Sequence, residues 1–187
     1  MIAVLASGEG TNFQALLDAD AAGQLHATIA LLLTNNPQAR AIERAQRANI
    51  PHVVIPNHRD RNLLGTAILD ALQATSVQLL CLAGFMRVLA PAVIAAYPRR
   101  ILNIHPALLP KFPGLHAVQQ ALTAGVTETG CTVHLVDEGI DTGPIILQER
   151  VPILPGDTEA SLAARIHAVE HRVYPRAVKL FLSTATT

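Results

Sequence analysis

Four times in the first hundred residues a short apolar run gives way to a turn and then to a segment with apolar residues at helical spacing. Residues 2–6 lead through Ser7-Gly8-Glu9-Gly10-Thr11-Asn12 to Phe13, Leu16 and Leu17. Residues 27–34 lead through Asn36-Pro37, expected to cap a helix, to Ala41, Ile42, Ala45 and Ala48. Residues 52–55 precede the stripe Leu63, Leu64, Ala67, Ile68, Ala71 and Leu72, and residues 77–83 precede a helix opened by Pro91 and running to Tyr97. Strands that read as continuous apolar runs are covered on both faces, and helices between them make the connections right-handed crossovers. The pattern predicts an α/β fold with a doubly wound, mostly parallel sheet.

Residues 101–104 make a central strand that breaks this pattern. Side chains alternate along a strand, so Leu102 and Ile104 share one face while Asn103 and His105 share the other, immediately before Pro106. An amide and an imidazole on one face of a buried strand, followed by the Pro- and Gly-rich segment 106–116, mark a place where ligand-binding groups collect at the sheet edge. A short helix is expected over 116–124. From Thr127 the rhythm changes, because residues 131–136 and 144–153 are strand-like and no helix separates them, so at least one strand in the C-terminal half runs antiparallel. Asp157 is the expected N-cap of a last helix bearing Leu162, Ile166, Val169 and Val173, interrupted at Pro175. No linker divides the chain, which reads as one domain over 1–187.

The 187 residues carry 14 basic and 14 acidic side chains, a balance that gives no reason to expect a nucleic-acid partner. Between Asp70 and Glu128 no acid occurs, whereas Arg87, Arg99, Arg100 and Lys111 do, so an anionic ligand would meet little repulsion there. Arg99 and Arg100 equally suit the wet end of a helix. No run is long enough to span a membrane, the opening residues show no basic leader, and Cys81 and Cys131 sit in apolar runs. These features lead to the expectation of a cytoplasmic protein with buried thiols.

The glycine turn at Gly8, Gly10, Thr11 and Asn12 offers backbone N–H groups at a helix N-terminus, which suits a phosphate, and equally reads as a plain tight turn. Phe13 replaces the third glycine of a dinucleotide fingerprint, and Thr34, Asn35 and Asn36 stand where its ribose-binding acid would be. Thr132 and His134 share a strand face, serving either as structural hydrogen bonds or as support for a catalytic group. Asp141 shares its turn with Asp137 and Glu138, so a solvated acidic turn is the bland alternative. A metal site would need ligands converging from positions that the sequence does not connect, so it is the disfavoured option.

Together SGEGTN, LAGFMRVL at 82–89, ILNIHPALLPKFPGLH at 101–116, TVHLVDEGIDTGP at 132–144 and VEH at 169–171 closely resemble the folate-dependent glycinamide ribonucleotide formyltransferases. NIHPALLP alone also resembles methionyl-tRNA formyltransferase and formyltetrahydrofolate deformylase, whose additional domains 187 residues have no room for. The resemblance implies a cytoplasmic enzyme of purine biosynthesis with a Rossmann-like formyltransferase fold. It would use 10-formyltetrahydrofolate as co-substrate and glycinamide ribonucleotide as acceptor, with no metal, nucleic-acid or membrane partner, as a monomer or homodimer. A formyltetrahydrofolate hydrolase and a non-catalytic binding module are the alternatives.

By position, the resemblance assigns catalysis to Asn103, His105 and Asp141, and phosphate or nucleotide contacts to Gly8, Gly10, Thr11, Asn12 and Glu170. It assigns folate contacts to Met86, Arg87, Val88, Leu89, Asp137, Glu138, Gly139 and Ile140, with Lys111 and His116 in matching segments. Residues 1–100 would then bind nucleotide, and 101–187 would bind folate and carry catalysis. Ala107 stands where relatives often have Ser, and the chain ends soon after Phe181 where many members extend. The first bears on loop geometry, the second on oligomerisation or edge protection.

Overall fold

Period-two alternation in β1 (Ile2–Leu5) separates two apolar layers. Ile2 and Val4 face one layer and Ala3 and Leu5 the other. The computed structural model describes residues 1–184. After β1 come α1 (Thr11–Ala21), β2 (Ile29–Thr34), α2 (Ala41–Arg47), β3 (His52–Val54), α3 (Arg61–Gln73), β4 (Leu79–Leu82) and α4 (Pro91–Ala96). The remainder is β5 (Ile101–His105), α5 (Ala117–Thr123), β6 (Glu128–Leu135), β7 (Ile145–Pro152) and α6 (Glu159–Thr184).

The seven strands form one sheet in the order β3-β2-β1-β4-β5-β6-β7, so a single sheet runs through both halves of the chain. β1 to β5 are mutually parallel. β6 is antiparallel to both β5 and β7 and is the reversed strand that the missing helix predicts. One face carries Phe13 and Leu16 of α1, Ala41 of α2, Val118 of α5 and Leu162, Ile166, Val173 and Tyr174 of α6. The other carries Leu64, Ile68 and Leu72 of α3 with Val93 of α4. Leu102 and Ile104 point to the α6 layer, which leaves Asn103 and His105 on the opposite face as alternation requires.

Three local expectations are corrected. Asn36 caps no helix: its side chain accepts from Gln38 N in a tight turn, and α2 begins only at Ala41 with no side-chain cap. The last helix is capped by Thr158, whose Oγ1 accepts from Ser161 N at 3.2 Å while Ser161 Oγ accepts from Thr158 N at 3.0 Å, a reciprocal box. Asp157 instead accepts from Leu154 N and pairs with Arg165 at 2.7 and 2.9 Å, and this Arg165 bonding, with the Leu154 amide and Ser161 hydroxyl, holds its carboxyl far below the usual range. Pro175 lies inside α6 without ending it. An interior proline costs about 3 kcal/mol, whereas each fully buried large apolar side chain contributes about 1.5–3 kcal/mol. Val173, Tyr174, Ala177 and Val178 flank it, all fully buried, and outweigh the loss.

Cys81 and Cys131 are free and buried, and burial pushes both thiols up to about 12. No helix among the described residues is long and apolar enough to cross a membrane.

Candidate active site

The β5–β6 register sets Asn103 opposite His134 and His105 opposite Thr132. Directly opposed side chains are near neighbours, so antiparallel pairing brings the two polar pairs of the sequence onto one patch. The turn between β6 and β7 folds back over this patch. There Asp141, at φ 55°, lies with Oδ2 3.3 Å from His105 Nδ1 and Oδ1 3.4 Å from His134 Nε2. Asn103 Nδ2 lies 3.1 Å from His134 Nε2 and donates to Asp141 Oδ1 at 3.4 Å. The expected trio therefore meets, and His134 belongs to the same cluster.

Partners fix the hydrogens. His134 Nδ1 lies 2.8 Å from Leu135 O, an acceptor, so Nδ1 carries a proton, and Nε2 faces both the Asn103 amide and the Asp141 carboxylate. The Asp141 carboxylate, which can only accept, sets the Asn103 amide with its nitrogen towards Asp141 and His134. His105 has acceptors on both sides, Phe112 O at 2.7 Å from Nε2 and the Asp141 carboxylate at Nδ1, an arrangement that the doubly protonated ring satisfies. Burial pushes the Asp141 carboxyl up. The His134 hydrogen bond, the Gly114 amide donating at 2.8 Å and the charges of His105 and His134 outweigh burial and leave it below its ordinary value.

The loop after His105 is tied down from β6 and β7. Thr132 Oγ1 donates to Ala107 O at 2.6 Å and accepts from Leu109 N at 3.1 Å and from Gln148 Nε2 at 2.8 Å. Gln148 Nε2 also donates to Leu109 O at 2.8 Å. Ala107 is completely buried, so the missing serine hydroxyl leaves no gap open to water. Lys111 and His116 are exposed and lie outside the cluster.

A second polar group forms at the glycine turn. Gly10 has φ 67°, and a Cβ there would stand 2.8 Å from that of Ala41, so both conformation and space demand glycine. The side chain of Asn12, in the first turn of α1, donates to Glu170 Oε2 of α6 at 2.8 Å, and His167 Nδ1 lies 2.8 Å from the same oxygen. Glu170 is 2% exposed. Its hydrogen bond raises the His167 imidazole above the ordinary value, against burial. The exposed Glu9 carboxylate pairs with Arg40 at 3.2 Å, whereas the Glu170 carboxylate stays against Asn12. Gly8 is exposed and Thr11 half-buried.

The 83–90 loop is fixed by residues that sequence reading passed over. Ser7 Oγ accepts from Met86 N at 2.9 Å and donates to Asn35 Oδ1 at 2.7 Å. Asn35 Nδ2 and Arg87 Nη1 both donate to Asn57 Oδ1, at 3.1 and 3.2 Å, and Arg87 also reaches the carbonyls of His58 and Arg59. Met86 and Val88 stand exposed at 66% and 51%, whereas Leu89 is buried in the α3–α4 layer and offers a neighbour only its backbone. In the second loop Asp137 Oδ1 accepts from Gly139 N and Thr142 Oγ1, closing the turn, while Glu138, Gly139 and Ile140 are exposed. Polar residues at strand ends were the available signal for Asn35 and Asn57. Gln148 gave none, since only the β6–β7 register brings it to Thr132.

Residues 1–178 match the formyl transferase family. The chain belongs to that family. It is 43% identical to the phosphoribosylglycinamide formyltransferase of Bacillus subtilis, over 96% of this chain and 93% of the relative. It is 50% identical to the trifunctional purine biosynthetic protein adenosine-3 of Drosophila melanogaster over 97% of this chain, yet spans only 14% of that protein. The crystal structure of glycinamide ribonucleotide transformylase 1 from Symbiobacterium toebii superposes with a TM-score of 0.96 at 47% identity, covering 98% of this chain and 87% of the other. Among the described residues no group of three or more His, Cys, Asp or Glu side chains is placed to hold a metal ion.

Proposed function

We propose that this chain transfers the formyl group of 10-formyltetrahydrofolate to the primary amine of glycinamide ribonucleotide, giving formylglycinamide ribonucleotide and tetrahydrofolate in purine biosynthesis. The observation that carries the reading is the convergence of Asn103, His105, His134 and Asp141 on one patch, in a chain whose full-length relative is a phosphoribosylglycinamide formyltransferase. The amine attacks the formyl carbon, forming a C–N bond and pushing an electron pair onto the carbonyl oxygen. One Asn103 N–H is held by His134; the other, bound to Asp141 only at 3.4 Å, is the donor that turns to the oxyanion. The ionised Asp141 carries the proton from the attacking nitrogen, directly or through water, to the folate nitrogen as the old C–N bond breaks. His105 holds that carboxylate in place and supplies positive charge beside the developing oxyanion.

The turn at Gly8, Gly10, Thr11 and Asn12 receives the ribonucleotide phosphate, and Glu170 contacts the same substrate. Met86, Val88 and Ile140 are exposed apolar side chains on the two loops assigned to folate, and a flat ring system would cover them. On this reading the two halves share the work, since Glu170 of the second half bonds Asn12 of the first and serves the nucleotide, while Met86 and Val88 of the first half serve the folate. Consumption of 10-formyltetrahydrofolate, followed spectroscopically with and without glycinamide ribonucleotide, tests the proposal. Turnover must require the amine; formate released at equal rate without it would identify a hydrolase, and ligand binding without turnover a non-catalytic module.

A further inference from the structure

On the sheet face away from α3 and α4, a groove of about 900 Å³ runs between α1 and α6. That size suits a small-molecule ligand. The groove begins at Thr11 beside the glycine turn, and Ala15, Ala19 and Pro175 line it with apolar surface. Along α6, Arg172, Arg176 and Lys179 follow one another at i, i+4 and i+7 and so share a stripe on the groove side. The two guanidinium groups divide one carboxylate, Glu149, at 3.0 and 3.6 Å. The Lys179 ammonium has no ion pair among the described residues. Arg44 directs its donors to neutral acceptors, Glu9 O at 2.8 Å and Gln14 Oε1 at 3.1 Å, and makes no ion pair among the described residues. The one acid lining the groove, Asp18, accepts from Gln14 Nε2 at 2.8 Å. His171 lines the same groove, and its Nε2 is buried without a hydrogen-bond partner.

We propose that this groove, which shares only Thr11 with the residues assigned to the ribonucleotide, is a second binding site for a small organic phosphate. The phosphate lies over Arg176 and Lys179, and the uncharged body lies along Ala15, Ala19 and Pro175 towards His171. Phosphate is the fitting anion because a planar guanidinium fork binds two of its oxygens at once while an ammonium takes a third. Burial lowers the affinity of the His171 ring for a second proton, so it meets the ligand as a neutral donor or acceptor rather than as another cation.

Titration of the full chain with inorganic pyrophosphate and with AMP, followed by calorimetry and amide chemical shifts, tests the site. Saturable binding should persist with glycinamide ribonucleotide at saturation, move amide signals along α1 and α6, and weaken by about tenfold or more in the double variant Arg176→Glu, Lys179→Glu. The same variant should keep the wild-type kcat and KM for glycinamide ribonucleotide. Should the double reversal fold poorly, Lys179→Ala, at an exposed position, must still weaken pyrophosphate binding. Binding that the ribonucleotide abolishes, that charge reversal leaves unchanged, or that never saturates overturns the proposal. The charge-reversal comparison needs no ribonucleotide, so its failure is separable from a failure of the formyl-transfer reading.

Discussion

Replacing Asp141 by Asn keeps the volume of the side chain and removes its charge and basicity. The structure dictates how the new amide sits. Gly114 N donates to Oδ2 at 2.8 Å, so the amide oxygen must face Gly114, because an NH2 there would put two donors in contact. The NH2 then faces Asn103 Nδ2, 3.4 Å from the present Oδ1, and repels the amide that should serve the oxyanion. Two effects should add under the proposed mechanism: the proposed proton carrier is gone, and the Asn103 donor is pushed off line. Loss of a positioned acid–base group alone costs about a hundredfold to ten-thousandfold. That is about 2.7–5.4 kcal/mol of barrier at roughly 1.36 kcal/mol per decade. Initial rates of 10-formyltetrahydrofolate consumption should show the whole loss in kcat. Calorimetric affinity for glycinamide ribonucleotide should stay near wild type, since Glu170 and the glycine turn are untouched. A folded Asp141→Asn enzyme with kcat within about threefold of wild type would refute the proton-carrying role, because general-acid or general-base contributions are typically about a hundredfold or more.

Asn103→Ala removes both amide donors and should lower kcat by about a hundredfold to a thousandfold with little change in KM, as read by the same assay. Gly10→Ala meets Ala41 at 2.8 Å with a left-handed φ, and strain of about 1–2 kcal/mol should lower the melting temperature by about 2–8 °C and raise KM for the ribonucleotide. Tyr174→Phe deletes a buried hydroxyl that donates to Leu82 O at 2.9 Å; about 1 kcal/mol of stability, or about 2–4 °C, should be lost in a thermal melt. Glu170 raises His167, so the pair stabilises the fold fully below about pH 6.5 and progressively less as pH rises through the raised value. Its half-exposed position limits the effect to under about 1 kcal/mol. The urea midpoints of wild type and His167→Ala should therefore differ at pH 6 and converge near pH 9, and a gap independent of pH would exclude this linkage.

Strand and helix identity was legible because burial on both faces writes itself as unbroken apolar runs, and helices as 3.6-residue stripes. The reversal of β6 was legible from the missing helix, and the shared face of Asn103 and His105 from alternation alone. What alternation cannot supply is register between strands. His134 was visibly on a face with Thr132, but its position opposite Asn103 depends on which residues of β5 and β6 pair. Gln148 reached Thr132 through a second register, and Asp141 through the fold of a turn. Thr158 displaced Asp157 as the cap because Arg165, two turns into α6, claimed the Asp157 carboxylate. Pro175 survived in a helix because tertiary burial outweighed a local penalty that the sequence alone makes decisive.

The reversed strand also explains how a polar cluster can persist under a sheet. The sheet face that elsewhere meets α3 and α4 is covered at Asn103, His105 and His134 by loops, which bring carbonyl and amide groups that a helix side would not offer. Phe112 O, Gly114 N and the turn bearing Asp141 arrive this way. Each buried polar atom is thereby matched, which offsets the cost of about 1–3 kcal/mol for each group left unpaired. The match is unequal. Gly114 N and Phe112 O bond at 2.8 and 2.7 Å, while Asp141 meets Asn103 and both imidazoles only at 3.3–3.4 Å. The short bonds anchor the loops, and under the proposed function the long ones would face the reacting groups, so a substrate oxygen or amine could replace the weakest contacts without dismantling the cluster. An enzyme needs that ordering, because donors already aimed at the place where charge develops need not reorganise during reaction.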